Sequence, residues 1–253
     1  MRLRTSLPWR TILAGMVLLG IVPSADAAFK LRLTAGSTSV TITDGDSNDL
    51  DKTKAGSIRY SNSTFGGNEG FDIAVTVGTS NRLTGTTIAR ISLGSLELAN
   101  LSSSAQTLTL ELTDTDFDFP TPPPLIVFSS ASSTVTTPNG PSTVTFQSFA
   151  DAGNAEFGTS FDVDPIVMKY AASEYSVSKS GNQSRGQFFP GDDAIYSLTS
   201  RFTLDLAGLA NVNSTGSKTE VATPEPPTLT MAGTGMLLLG GGYWRRRRLK
   251  SRV

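Results

Sequence analysis

The 253-residue chain contains no cysteine and no histidine, and both of its tryptophans, Trp9 and Trp244, stand in the terminal segments. Without cysteine there are no disulfides, no thiolate nucleophile and no thiolate metal site. Without histidine the usual general base, the usual zinc ligand and every imidazole-dependent triad are gone. No phosphate-cradling or dinucleotide glycine motif occurs, and no G-x-S-x-G elbow occurs among the many serines. With 22 acids, some carboxylate pair could always be drawn, but nothing in their spacing marks one for glycoside hydrolysis. The chain therefore reads as a non-enzyme. Helical spacing is also missing: between residues 28 and 210 no window of roughly 11–18 residues sustains it.

The formal charge of -1 hides an asymmetry. Residues 1–27 carry Arg2, Arg4 and Arg10 against Asp26, and residues 226–253 carry six basic residues and no acid. Those ends hold +2 and +6, which leaves -9 for residues 28–225. An acidic body argues against nucleic acid as a partner.

The ends explain their own charge. Three arginines precede an apolar run at 12–22, then Pro23, Ser24 and Ala25-Asp26-Ala27. A basic region, a short hydrophobic region and an A-x-A site make a signal peptide over residues 1–27, with cleavage between Ala27 and Ala28. At the other end, Pro224-Glu225-Pro226-Pro227 precedes an uncharged stretch at 228–244, followed by Arg245, Arg246, Arg247 and Arg248. That stretch is just long enough to cross a bilayer. Tyr243 and Trp244 stand where an interfacial belt would be, and the four arginines place the C-terminus on the cytoplasmic side.

A Pro-Glu-Pro motif, a short Leu/Gly-rich span and a terminal arginine cluster together resemble the PEP-CTERM sorting signal. The resemblance covers residues 224–253. Thr230 departs from it by placing a hydroxyl in the span. Gly240, Gly241 and Gly242 resemble the glycine-rich tails of rhombosortase substrates, but the Pro224-Glu225-Pro226 motif ahead of the span decides for the exosortase type. The resemblance implies a Gram-negative host that makes exopolysaccharide and an exosortase that cuts near the motif. It also implies a route through the Sec translocon and signal peptidase to a single-pass inner-membrane intermediate, then to the cell surface or extracellular matrix. The alternative for the tail is a permanent single-pass anchor.

Between the signals the chain alternates with the period of strands. Phe29, Leu31 and Leu33 face one way, Gly36-Ser37 turns, and Val40 and Ile42 follow, which reads as a hairpin. Further strands fall at 57–60, 71–77, 91–98 with a bulge at Gly94, 107–113, 125–129, 134–136, 144–149 and 196–206 with a bulge at Ser200. Residues 61–70 and 181–191 read as polar loops. Residues 211–223, rich in Ser, Thr, Asn and Gly, read as a flexible tether. Pro120, Pro122, Pro123 and Pro124 make a stiff crossover between sheets. The expected fold is all-β, one antiparallel β-sandwich of jelly-roll-like or immunoglobulin-like type over residues 28–210. It would be flanked by the signal peptide and the transmembrane sorting helix.

Two acidic clusters are candidates for a cation. Asp44, Asp46, Asn48, Asp49 and Asp51 could surround Ca²⁺, which takes clustered oxygens. The cluster is not an EF-hand, because Asp49 stands where that loop needs glycine. The other reading is a turn made of turn-forming residues. Asp114, Asp116 and Asp118 would share one face of an extended chain and could join that loop in a second site. The leading functional reading is an exported surface or matrix protein associated with exopolysaccharide and without catalysis. A carbohydrate-binding module or glycan-active enzyme, and a calcium-stabilised adhesin, are the alternatives on the same scaffold. The absence of tryptophan from the body weighs against sugar stacking.

Overall fold

The computed structural model describes residues 29–224 except 85–86, 122, 174 and 193. Residues 1–28, which include the expected signal peptide, and the segment from Glu225 onward lie outside the described residues. Thirteen strands, and no helix, occur among the described residues. They are β1 (Lys30–Ala35), β2 (Thr38–Thr43), β3 (Ser57–Phe65), β4 (Phe71–Ser80), β5 (Ile88–Asn100), β6 (Gln106–Phe117) and β7 (Leu125–Thr136), then β8 (Ser142–Asp151), β9 (Phe161–Asp162), β10 (Ile166–Tyr170), β11 (Val177–Phe188), β12 (Tyr196–Leu206) and β13 (Asn211–Ala222).

They form two antiparallel sheets. One runs β10-β8-β12-β6-β1-β2, with β9 also on β8; the other runs β11-β7-β13-β5-β4-β3. From β5 onward every connection crosses between sheets except β8–β9–β10. Consecutive strands therefore face each other across the core as arches, and the fold is a β-sandwich.

Alternation explains the core. Leu108, Leu110 and Leu112 of β6, Leu31 and Leu33 of β1, and Phe202, Leu204 and Leu206 of β12 are buried on the inner face of one sheet. Phe71, Ile73 and Val75 of β4 and Val127 and Val135 of β7 answer them from the other. In β5 the inward set shifts from Ala89, Ile91 and Leu93 to Leu96 and Leu98, and the register to β4 slips there around Gly94. An extra residue moves every later side chain to the opposite face, so the bulge keeps both halves of β5 apolar inward.

The interior also holds hydroxyls. Ser200 of β12, Thr219 of β13 and Ser148 of β8 form a buried chain with 2.7 Å at each link, Thr219 donating to Ser148. Ser133 and the Tyr170 hydroxyl lie 2.7 Å apart, and Tyr170 donates to the Ser133 carbonyl at 2.9 Å. Both networks bridge the sheets, which satisfies polar groups that would otherwise cost free energy in the core. Ser129 and Ser217 are buried in the same interior with hydroxyls that have no partner.

Four expectations change. Ser200 marks no bulge: it occupies a regular inward place in β12, with a hydroxyl where an apolar side chain was expected, and the slip lies instead between Tyr196 and Leu198. Residues 61–65 continue β3, and 181–188 belong to β11. β11 is an edge strand whose side chains are mostly exposed, so it needs no apolar face. Gly181 within it lets the strand pass close to β10, since a Cβ there would meet Ile166 Cγ2 at 2.6 Å.

The largest correction is the tether. Residues 211–222 are β13, which pairs with β5 along one side and β7 along the other. Val212, Ser217, Thr219 and Val221 point inward. The strand reads as polar because two of those places carry hydroxyls and its outer face carries Asn, Lys and Glu. A chain ending at Ala210 therefore leaves β5 and β7 unpaired in the middle of the sheet. It is expected to lose cooperative thermal unfolding by circular dichroism, whereas a chain ending at Pro224 unfolds cooperatively.

Candidate functional site

The acidic loop between β2 and β3 uses its carboxylates on the backbone. Asp46 accepts from the N–H groups of Thr43 (2.9 Å), Asn48 (2.6 Å) and Asp49 (3.0 Å). Asp49, fully buried, accepts from Gly45 (3.0 Å), Asp51 (2.9 Å) and Arg59 (3.0 Å). Asp44 accepts from Gly56 at 2.6 Å, and Asp51 accepts from the Ser57 hydroxyl at 2.9 Å. Burial raises the Asp44 carboxyl above its ordinary value. At Asp46 burial acts the same way, but the three N–H donors outweigh it and hold the group below that value. Among the described residues no group of three or more acids converges to hold a metal. Of the expected calcium set Asp44, Asp46, Asn48, Asp49 and Asp51, the carboxylates of Asp46 and Asp49 act as loop staples, each oxygen aimed at a backbone N–H being one not aimed at a shared point, while Asp44 Oδ1 is buried with no partner among the described residues.

The second acidic stretch is split in three. Asp114 is 2% exposed, Asp116 is bent into the left-handed region at φ 61, and Asp118 is exposed. Asp116 exchanges hydrogen bonds with Asn154, its N–H donating to Oδ1 at 2.8 Å. The three carboxylates therefore share no face, because β6 loses its extended geometry at Asp116. The cation that serves both acidic stretches is Arg82. Its Nε lies 3.7 Å from Asp114, and it also lowers the Asp44 carboxyl.

Burial raises Asp114 to about 6, opposed by the Ser80 hydroxyl, Arg82 and the Thr115 N–H. An acid whose native pKa exceeds its unfolded value of 3.8 loses stability as pH rises between the two. At neutral pH the cost is about 3 kcal/mol.

The outer face of the six-stranded sheet carries the most extended concavity. Along β7, Phe128, Ser130, Ser132, Thr134 and Thr136 alternate with the inward residues. Strand register sets their neighbours in rows. Asp72, Ala99, Asn211 and Thr136 make one row, and Ala74, Glu97, Asn213 and Thr134 the next. Toward the other end, Lys218, Ser130 and Asn182 make a third row, and Arg90, Glu220, Phe128 and Ser184 a fourth. Three depressions of about 540, 440 and 440 Å³ follow these rows: the two toward Phe128 meet at Ser130 and Asn182, and the one toward Thr136 has Thr134 in its lining.

The floor is low where Ala74 and Ala99 sit, and again at Gly216. From Phe128 to Thr136 the trough is about 27 Å long at ~3.4 Å per residue. At one end the Phe128 ring is 38% exposed beside the Arg90–Glu220 (2.5 Å) and Lys218–Glu220 (2.9 Å) ion pairs. At the other, next to Ser176 of the lining, Tyr175 is 77% exposed. The arrangement offers many short hydroxyl and amide groups over a small-residue floor, with an aromatic side chain near each end.

Sequence reasoning missed this trough because β11 and β13, which build two of its walls, read as loop and tether. The available signal was the period-two placement of Ser178, Ser180, Asn182 and Ser184. Of the sorting residues, Pro224 is described and exposed. Glu225, Pro226, Arg245, Arg246, Arg247, Arg248, Ala25, Ala27 and Ala28 lie outside the described residues.

No protein-family model matches the chain, and no curated protein matches it. Among solved structures, a carbohydrate-binding module in complex with β-1,4-galactotriose aligns at TM-score 0.29 and 4% identity, covering 58% of this chain and 86% of that one. The enzymatically active domain of the bacteriophage CBA120 tailspike protein 4 aligns at 0.27 and 8%, covering 62% of this chain and 20% of that one. A carbohydrate-binding module of the β-sandwich superfamily aligns at 0.26 and 9%, covering 76% and 85%. Scores this low leave the fold to rest on its own strand pairing and the function on its own side chains.

Two measurements test the acidic groups. Added calcium is expected to leave the melting temperature unchanged, while Asp49→Ala, which removes the acceptor of three part-buried backbone N–H groups, costs about 1–3 kcal/mol in urea unfolding. Asp114→Asn is expected to be more stable than the parent by about 1–3 kcal/mol near neutral pH. That advantage shrinks as pH falls from about 6 toward 4.

Proposed function

We propose that this chain is an exported cell-surface or matrix protein whose sandwich binds a neutral polysaccharide along the trough of the six-stranded sheet. The observation that carries the reading is the trough itself. Its outer face extends about 27 Å along β7, from Phe128 to Thr136, long enough for an extended run of several sugar units. Its hydroxyl and amide lining suits polyol hydrogen bonding, and the exposed Phe128 supplies an apolar face in a polar wall, as sugar sites commonly require. The crossing arches favour the jelly-roll-like connectivity over the immunoglobulin-like one.

Delivery is proposed from the terminal signals: the Sec translocon and signal peptidase act on residues 1–27, and exosortase acts at Pro224-Glu225-Pro226. One structural fact supports the second step. β13 ends at Ala222, so Pro224 stands exposed two residues beyond the last strand, and cutting there leaves the sandwich whole. Exopolysaccharide of the host is the natural partner.

Affinity electrophoresis in gels containing neutral galactan, glucan or mannan tests the binding. At least one polymer is expected to retard the protein, and Phe128→Ala weakens that retardation at least tenfold with the melting curve unchanged. Migration unaffected by all of them would remove the trough reading. Mass spectrometry of the protein from envelope and medium of the host is expected to show an N-terminus at Ala28 and a C-terminus near Glu225. A form retaining Arg245, Arg246, Arg247 and Arg248 would establish a permanent anchor instead.

A further inference from the structure

The outer face of the seven-stranded sheet carries an ion cluster that the trough does not use. Register places Arg32 of β1 and Arg201 of β12 on either side of Glu111 of β6. Arg32 donates to Glu111 Oε2 through Nε at 2.7 Å and also through Nη2. Arg201 donates to Oε1 through Nε at 2.9 Å, and its Nη2 lies 2.9 Å from the same oxygen as an ion pair. Each guanidinium also lies over an aromatic ring, Arg32 over Phe157 at 3.9 Å and Arg201 over Phe149 at 4.8 Å.

Two long side chains are thus held in place by a shared carboxylate on one edge and a ring on one face. Glu111 is buried at 6% side-chain exposure, while each arginine keeps 35%. Among the described residues neither arginine uses its Nη1 group in these bonds. A held arginine with unspent donors loses little rotamer freedom when an anion arrives.

One row along, the register aligns Ser39, Thr34, Thr109 and Thr203 across four adjacent strands. Those hydroxyls and the two guanidiniums line one depression of about 570 Å³. Two guanidiniums against one carboxylate leave a single positive charge, on a body that is otherwise strongly acidic. The site suits a monoanion set in a polyol: the charge meets the arginines and the hydroxyls meet the threonine row.

We infer that this depression is a second binding site, for a carboxylate-bearing sugar of the uronic acid class. The choice of a sugar to carry the carboxylate rests on the glycan-binding reading above; the anion preference rests on the arginines alone. With the trough on the opposite sheet, one domain then holds two polymer chains at once.

The test uses full-length protein in gels containing polygalacturonate. Retardation is expected, and free galacturonate is expected to reverse it while its methyl ester and inorganic sulfate do not. R32Q/R201Q is expected to bind at least tenfold more weakly, and R59Q on the other sheet to bind as the parent does. Because the glutamine pair leaves Glu111 without its partners, R32K/R201K serves as a second variant. It keeps the charge but loses the planar fork, and at least a threefold weakening is expected. Absence of retardation, reversal by methyl ester or sulfate as readily as by galacturonate, or parental binding by the folded lysine variant would each overturn the assignment. Neutral-polymer retardation is scored separately. Retardation by polygalacturonate with none by neutral polymers keeps this site and removes the trough; the converse removes this site alone.

Discussion

The six-stranded sheet depends on one strand arriving from the far end of the chain. β13 supplies the backbone partners for β5 on one side and β7 on the other, and so joins the β3–β5 meander to the β7–β11 pair. Buried peptide groups without partners are expensive, and among the described residues β13 alone lies between these two strands. The two half-sheets are a single layer only because of it. The trough inherits this dependence, since Asn211, Asn213, Lys218 and Glu220 are its β13 wall.

The two sheets then meet through an interior in which hydroxyls take places that leucine or valine usually fill. Ser148, Ser200 and Thr219 satisfy one another across the gap, as do Ser133 and Tyr170. Bonds of this kind are directional, so they fix the relative placement of the sheets in a way apolar contact does not. Asp114 is the opposite case, a buried acid kept by the fold at a cost, with Arg82 close but not in hydrogen-bond contact.

How far the sequence could be read depended on whether a strand had a dry face. Leu108, Leu110 and Leu112, or Phe71, Ile73 and Val75, declare their strands because each inward place is apolar and each outward one is not. The Gly36 turn and the Gly94 bulge are legible for the same reason, as interruptions in a clear pattern. β11 has almost no dry face and β13 has one made half of hydroxyls, so both looked like loop. The acidic loop was visible as composition but its role was not. Whether a carboxylate meets a cation or a peptide N–H is decided by loop geometry, and four aspartates in a row of turn residues satisfy either until Asp49 is seen buried among three amides. The trough and the arginine pair were invisible because their members come from strands far apart in the chain.

The polar edge strand has a consequence for crowding. β11 shows solvent a border of Lys179, Gln183 and Arg185, with few apolar side chains on either face. A flat apolar edge would recruit the edge of a neighbouring copy and grow into a continuous sheet. Charge and amide along this border oppose such growth, so crowded copies do not fuse into one ribbon along β11.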